Sequence, residues 1–234
     1  MTSATSAAGT TTYQLNALGQ RFRKTSSSSD VVFVYDVKGK LIAEASPSGS
    51  TTREYIYLRD TPVAVISAGD MKYIHTDHLD TPRAIYDASQ QIRWSWDQQE
   101  PFGVNAPDEN PMGQGAFEFS ARFPGQYADK ETNLAYNLTR DYDPSLARYL
   151  QSDRIGLQGG LNTYAYAAGD PVLKTDPNGE NVILFLWKLF QEMRDWVQRD
   201  LNKNLKDEYR KDKEKDKDKD DTDKDDKEAK LFCP

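Results

Sequence analysis

The sequence predicts a mainly β protein: an antiparallel β-sheet meander, then one amphipathic α-helix, then a charged tail without fixed structure. Three observations predict it. Short runs rich in Val, Ile and Tyr alternate with turn residues from about position 13 to 96, the pattern of strands joined by hairpins. Apolar residues at helical spacing begin after Asn181. From 206 to 230 Lys and Asp nearly alternate, a composition that cannot bury a core.

Residues 1–12 are rich in Ser, Thr and Ala, lack the basic start and apolar core of a cleavable signal peptide, and read as a disordered N-terminus. Residues 13–96 carry the meander. Asp30-Val-Val-Phe-Val-Tyr-Asp-Val-Lys-Gly39, Lys40-Leu-Ile-Ala-Glu44 and Arg53-Glu-Tyr-Ile-Tyr-Leu58 read as strands, with Tyr55 and Tyr57 on one face. Gly39, Ser48-Gly49, Ala68-Gly69 and Asp80-Thr-Pro82 punctuate them as turns. A weak repeat underlies the pattern: Asn16-Ala-Leu-Gly19 and Asp36-Val-Lys-Gly39 set equivalent glycines about 20 residues apart, the mark of a stacked β architecture. Tyr86-Asp87 echoes Tyr35-Asp36.

Residues 97–180 begin with a connection, since Pro101, Pro107, Pro111 and Pro124 break it around one expected strand, Ala116-Phe-Glu-Phe119. Aromatics and turn signals return at close spacing from 127 to 179. In 181–205, Val182-Ile-Leu-Phe-Leu-Trp187 is followed by Leu189, Phe190, Met193, Trp196, Val197, Leu201 and Leu205. This is an amphipathic helix whose apolar run ends at Lys188, well short of the roughly 20 residues of a membrane span. Residues 206–234 are the Lys/Asp-rich tail, assigned as disordered because Asp is a poor helix former.

Charge narrows the function classes. The chain of 234 residues holds 30 Lys+Arg and 37 Asp+Glu. Residues 181–234 contain 14 and 15 of these, leaving 16 and 22 in the acidic first 180, so no basic face predicts nucleic-acid binding. Cys233 is the sole cysteine, which excludes an intrachain disulfide and a cysteine metal cluster. No phosphate-binding loop, serine nucleophile elbow or His-Glu-x-x-His motif occurs, so a conventional multiple-turnover enzyme is disfavoured and no cofactor is expected.

Two constellations carry chemistry. His75 and His78 lie with Asp77 and Asp80 in Tyr73-Ile-His-Thr-Asp-His-Leu-Asp-Thr-Pro-Arg83. Three residues apart on a strand they face opposite sides, so structural hydrogen bonding outweighs a metal site. The second is Asp153-Arg-Ile-Gly-Leu157 with Asp176-Pro-Asn-Gly179. Two carboxylates brought together can share a proton, one activating water while the other polarises a carbonyl, although Asp-Pro and Pro-Asn-Gly are also ordinary turn formers.

The motifs Tyr73-Ile-His-Thr-Asp-His-Leu-Asp-Thr-Pro-Arg83, Arg122-Phe-Pro-Gly-Gln-Tyr127, Asp141-Tyr-Asp-Pro144, Arg148-Tyr-Leu-Gln-Ser-Asp153 and Gly159-Gly-Leu-Asn-Thr-Tyr-Ala-Tyr166 resemble, in order, the RHS repeat-associated core domain. The resemblance covers about residues 13–180. It implies the end of an Rhs/YD-repeat polymorphic toxin, whose spiral β shell encloses a variable C-terminal effector. It further implies a single-turnover aspartic autoprotease, with Asp153 and Asp176 as the catalytic pair and cleavage between Glu180 and Asn181; beside that, Arg148 is a candidate aid to the developing oxyanion. The sequence departs from the family pattern at Arg154, usually Pro, and Glu180, usually Leu. The implied partners are a longer shell or upstream repeats, an immunity protein and a secretion-system spike. The chain is then secreted or delivered to a neighbouring cell in interbacterial competition, or cytoplasmic as an orphan fragment. The alternatives are a membrane-active tail through 182–205, with Trp187 and Trp196 at the interface, and a nonfunctional remnant.

Overall fold

The computed structural model describes residues 2–7, 9–180, 183–184, 193–194 and 196–200. Among these, ten strands form one antiparallel meander in which every strand pairs with the next in sequence. They are β1 (Ser3–Ser6), β2 (Gly9–Leu15), β3 (Arg21–Thr25), β4 (Asp30–Tyr35), β5 (Leu41–Ala45), β6 (Thr51–Leu58), β7 (Thr61–Ser67), β8 (Asp70–Thr76), β9 (Pro82–Tyr86) and β10 (Ile92–Ser95). A second antiparallel sheet holds β11 (Tyr127–Asp129), β12 (Leu134–Asn137), β13 (Arg140–Asp143) and β14 (Arg148–Tyr149), and a two-stranded ribbon pairs β15 (Lys174–Thr175) with β16 (Ile183–Leu184). The expected disordered start is corrected, because β1 and β2 pair from Ser3↔Thr12 to Ser6↔Gly9.

One turn recurs at four of the nine links of the meander. In Asn16–Gln20 the Asn16 side-chain oxygen accepts from the amides of Leu18 and Gln20, while the Gly19 amide reaches Asn16 O. Asp36, Asp77 and Asp87 do the same for the amides two and four residues on. Each turn needs a short side-chain acceptor first and a left-handed residue fourth. Gly19 and Gly39 supply the latter at φ 78° and 84°, but Asp80 and Gln90 supply it at 66° and 61°. A repeat read from glycine spacing therefore sees only part of the series. Register shifts recur beside these turns, as at Gln14/Leu15, Val34/Tyr35 and His75/Thr76. Such bulges add twist and curve the sheet.

The buried face of the meander carries cross-strand rows. Tyr55 pairs with Val65 and Val65 with Lys72, while Ile74 pairs with Ile85 and Ile85 with Trp94. Lys72 is tolerated there because its Nζ lies 5.0 Å from the centre of the Phe117 ring. Glu44, equally buried, accepts from Tyr55 Oη and Arg53. The stretch expected as a strand at 116–119 is extended but unpaired as a strand. Phe117 and Phe119 instead plug the core, with Phe119 edge-on to Trp94 at 5.3 Å.

Burial of tyrosines sets an alkaline limit on the fold. Burial, foremost, pushes Tyr35, Tyr55, Tyr127, Tyr149 and Tyr166 above the ordinary value of 10.0. With folded values above unfolded ones, the stabilisation is complete below pH 10 and is lost as pH rises through the folded values. Arg122, lowered by burial to about 10, works the other way but is one group against several. Thermal unfolding should hold level to about pH 9.5 and then drop, each tyrosine costing about 1.4 kcal/mol per pH unit. A midpoint unchanged at pH 11 would contradict this.

Residues 1–185 form one compact unit and 186–234 another. In the second, residues 193–194 and 196–200 are helical, with the described side chains exposed. The helix expected at 181–205 is corrected at its start, because Ile183–Leu184 pair with Thr175 and Lys174 as β16; the other residues of 181–205, apart from those helical positions, and the tail at 206–234 lie outside the described residues. Among the described residues no helix is long and apolar enough to cross a membrane.

Candidate functional site

The register of the second sheet sorts its side chains onto two faces. Asn137 pairs with Arg140, and Tyr142 with Tyr149, so Asn137, Arg140, Tyr142 and Tyr149 share one face. Tyr136 pairs with Asp141 and with Tyr127, which places Asp129, Tyr136 and Asp141 on the other.

The second of these faces receives β3. Arg21 is buried between the rings of Tyr13 and Tyr136, 3.8 and 4.0 Å from their centres. Its Nη1 donates to Asp129 at 2.5 Å and its Nη2 to Asp141 at 3.2 Å. Lys24 adds ion pairs to Asp129 at 3.3 Å and Glu131 at 3.1 Å. This charged seam ties the meander to the small sheet.

The first face holds the aspartates. Arg140 Nη2 lies 2.9 Å from Asp176 Oδ2 and 3.1 Å from Asp153 Oδ2, so one guanidinium bridges both carboxylates, all three side chains being buried. Its plane stacks on Tyr149 at 3.6 Å, and Nη1 donates to Thr163 O. Tyr149 Oη donates to Asp176 Oδ2 at 2.9 Å, and Asn137 Nδ2 donates to Tyr149 Oη at 2.7 Å and to Asp176 O at 2.8 Å. Burial and, next, the Asp176 charge raise Tyr149 well above its ordinary value, so it stays a protonated donor. Rings from the main core back the site: Trp96 packs on Phe123, Phe123 on Tyr166, and Tyr166 on Tyr149.

Both aspartates sit in turns that aim them. The Asp153 carboxylate accepts from the Ile155 amide at 2.9 Å. Asp176 Oδ1 accepts from the Glu180 amide at 2.9 Å, closing the loop of Asp176-Pro-Asn-Gly179. Thr139 Oγ1 donates to Gly179 O at 3.0 Å, and Gly125 approaches so closely that a Cβ there would meet Pro177 O at 1.9 Å. At Gly159 an added Cβ would stand 2.6 Å from Asp153 Oδ2 and 3.3 Å from Glu180 O. The Asp153 carboxylate and the Glu180 carbonyl oxygen thus border one small space that glycine leaves open. Beyond the loop, Ile183 pairs with Thr175 and Leu184 with Lys174, so the chain is held on both sides of the Glu180–Asn181 bond. Asn181 itself lies outside the described residues.

The structure brings together Asp153, Asp176 and Glu180 but not Arg148. That arginine is exposed on β14, stacked on Tyr164 at 4.7 Å, and its register partner Asp143 belongs to the opposite face. Arg140 takes the place beside the carboxylates that the sequence reading assigned to Arg148. Tyr149 was missed although it lies in the motif Arg148-Tyr-Leu-Gln-Ser-Asp153, and Asn137 and Arg140, just before Asp141-Tyr-Asp-Pro144, fall in no motif. The histidines lie elsewhere: His75 is edge-on to Tyr86 at 4.9 Å, and His78 Nε2 meets Val172 O at 2.8 Å. Asp77 caps its turn and pairs with Arg83. Among the described residues no group of three or more His, Cys, Asp or Glu side chains could hold a metal.

Comparison with known proteins agrees with this architecture. A family model described as Teneurin YD-shell matches residues 50–172. Toxin protein Tse5 of Pseudomonas aeruginosa is 40% identical over 117 residues, 50% of this chain and 8% of that protein. Double-stranded DNA deaminase toxin A of Burkholderia cenocepacia is 28% identical over 199 residues, 72% of this chain and 14% of that protein. The chain therefore spans a small part of these relatives' length. The crystal structure of TcdB2-TccC3-TEV superposes with a TM-score of 0.52 at 21% identity, over 73% of this chain and 9% of that one, a likeness of fold. With a family match over more than half its residues, the chain belongs to the Teneurin YD-shell family, and its relatives include Rhs/YD-repeat polymorphic toxins.

Proposed function

We propose that this chain is the end of an Rhs-type shell that hydrolyses its own Glu180–Asn181 bond and so releases the residues that follow. The observation that carries the reading is the placement of Asp153 and Asp176 on one buried guanidinium, with the Glu180 amide on one carboxylate and its carbonyl oxygen bordering the other. Arg140 leaves the trio one net negative charge, which a single shared proton neutralises, the arrangement of acid chemistry between paired carboxylates.

Asp176, which accepts from Arg140, Tyr149 and the Glu180 amide, takes the role of base. Asp153, beside the carbonyl oxygen, carries the shared proton and donates a hydrogen bond to it. Water adds to the carbonyl carbon of Glu180 while Asp176 takes one of its protons. The C–N bond then breaks, the Asn181 nitrogen leaves with a proton, and Glu180 ends as a carboxylate. In this reading the released segment is cargo or its stub, delivered to a neighbouring cell in interbacterial competition, and the rest caps a longer shell that an immunity protein and a secretion spike accompany.

Intact-mass measurement of the expressed full chain tests the cut. Two fragments whose masses meet at Glu180–Asn181 are expected. A single full-length species after prolonged incubation would sink self-cleavage.

A further inference from the structure

We propose that Arg154 selects Glu180 at the junction, its guanidinium gripping the Glu180 carboxylate so that the residue before the bond is seated beside the aspartate pair; as a statement about cleavage, this rests on the self-cleavage reading. Arg154 Nε donates to Glu180 Oε1 at 2.9 Å and Nη2 to the same oxygen at 2.5 Å. The two residues are 26 apart in sequence, yet each stands at a defined place: Arg154 directly follows Asp153, and Glu180 directly precedes the proposed cut. Glu180 is thereby held by its amide on Asp176, near Asp153 through its carbonyl, and by its side chain on Arg154.

The charge arrangement explains why an acidic residue can stand there. Arg140 already serves both aspartates. Glu180, with only 21% of its side chain exposed, would add a third carboxylate to that neighbourhood without a cation of its own. Arg154 supplies that cation, while its own 62% exposure leaves it replaceable without disturbing the core. The pair forms a matched lock: an arginine after the first catalytic aspartate goes with a glutamate before the cut, and changing either alone unmatches them.

The test uses the full chain with Arg154→Glu, Glu180→Arg and both together. Fragment appearance is followed by mass, and amide hydrogen exchange is followed in the stretch 176–184. Each single reversal should slow cleavage about tenfold, through misplacement of the junction, and speed exchange there. The double reversal should return the rate to within about threefold of the unaltered chain and restore slow exchange. Singles that cut and exchange like the unaltered chain, or a double no better than the worse single, would overturn the assignment while leaving self-cleavage standing. Should the unaltered chain stay intact, self-cleavage falls; exchange that still follows the charge match then upholds the grip of Arg154 on Glu180, and exchange indifferent to it overturns that too.

Discussion

If the chain cuts itself as proposed, replacing Asp176 by Asn will leave it as a single full-length species, while the unaltered chain will separate into two. The carboxamide removes the proposed base, and it also breaks the hydrogen-bond pattern. One face of the Asp176 carboxylate receives Arg140 and Tyr149, the other receives the Glu180 amide. All three are donors, whereas a carboxamide offers one oxygen and one NH2. Whichever way it turns, a donor faces a donor, at a cost of about 1–3 kcal/mol. Thermal unfolding should therefore show a modestly less stable but folded protein, which separates loss of chemistry from loss of structure. Fragments persisting in this variant would remove Asp176 from the reaction.

Replacing Arg21 by Leu will have the largest effect on stability, about 3–5 kcal/mol, because it strands buried carboxylates rather than because the ion pair is itself worth so much. Asp129 and Asp141 would each lose the Arg21 guanidinium, leaving Lys24 on Asp129 as the seam's remaining cation among the described residues. The guanidinium also fills the gap between Tyr13 and Tyr136. For a unit of this size the melting temperature should fall by roughly 10 °C. Adding Asp129→Asn and Asp141→Asn to Arg21→Leu should recover part of the loss, since neutral groups cost less to bury unpaired. A triple variant as unstable as the single would show that packing, not charge, dominates the seam. Asp141 and Arg140 are adjacent on β13, so the same loosening should slow the cut near the melting temperature.

Much of the fold was legible because its turns carry their own chemistry. Asn16 and Asp36 stand at positions where a short side-chain acceptor closes a tight turn ahead of a glycine, and this chemistry needs no partner distant in sequence. Where the left-handed place is taken by Asp80 or Gln90, the signal fades. The N-terminal strands were missed for a different reason. Gly9–Leu15 is mostly Thr and small residues, with weak apolar alternation, and it becomes a strand by pairing with its neighbours.

The sequence by itself determined the meander, the two aspartate turns and the compositional break after Glu180, all properties of residues near one another in the chain. Tertiary structure alone decided which arginine joins the aspartates. Arg140 and Arg148 lie on adjacent strands, one just before and one inside a recognisable motif. Strand register sets Arg140 with Asn137 and Tyr149 on the buried face and turns Arg148 outward beside Asp143. Side chains alternate across a sheet, so a one-residue difference in register exchanges the two faces. The second sheet is held in that register between Arg21 on one side and the aromatic core on the other.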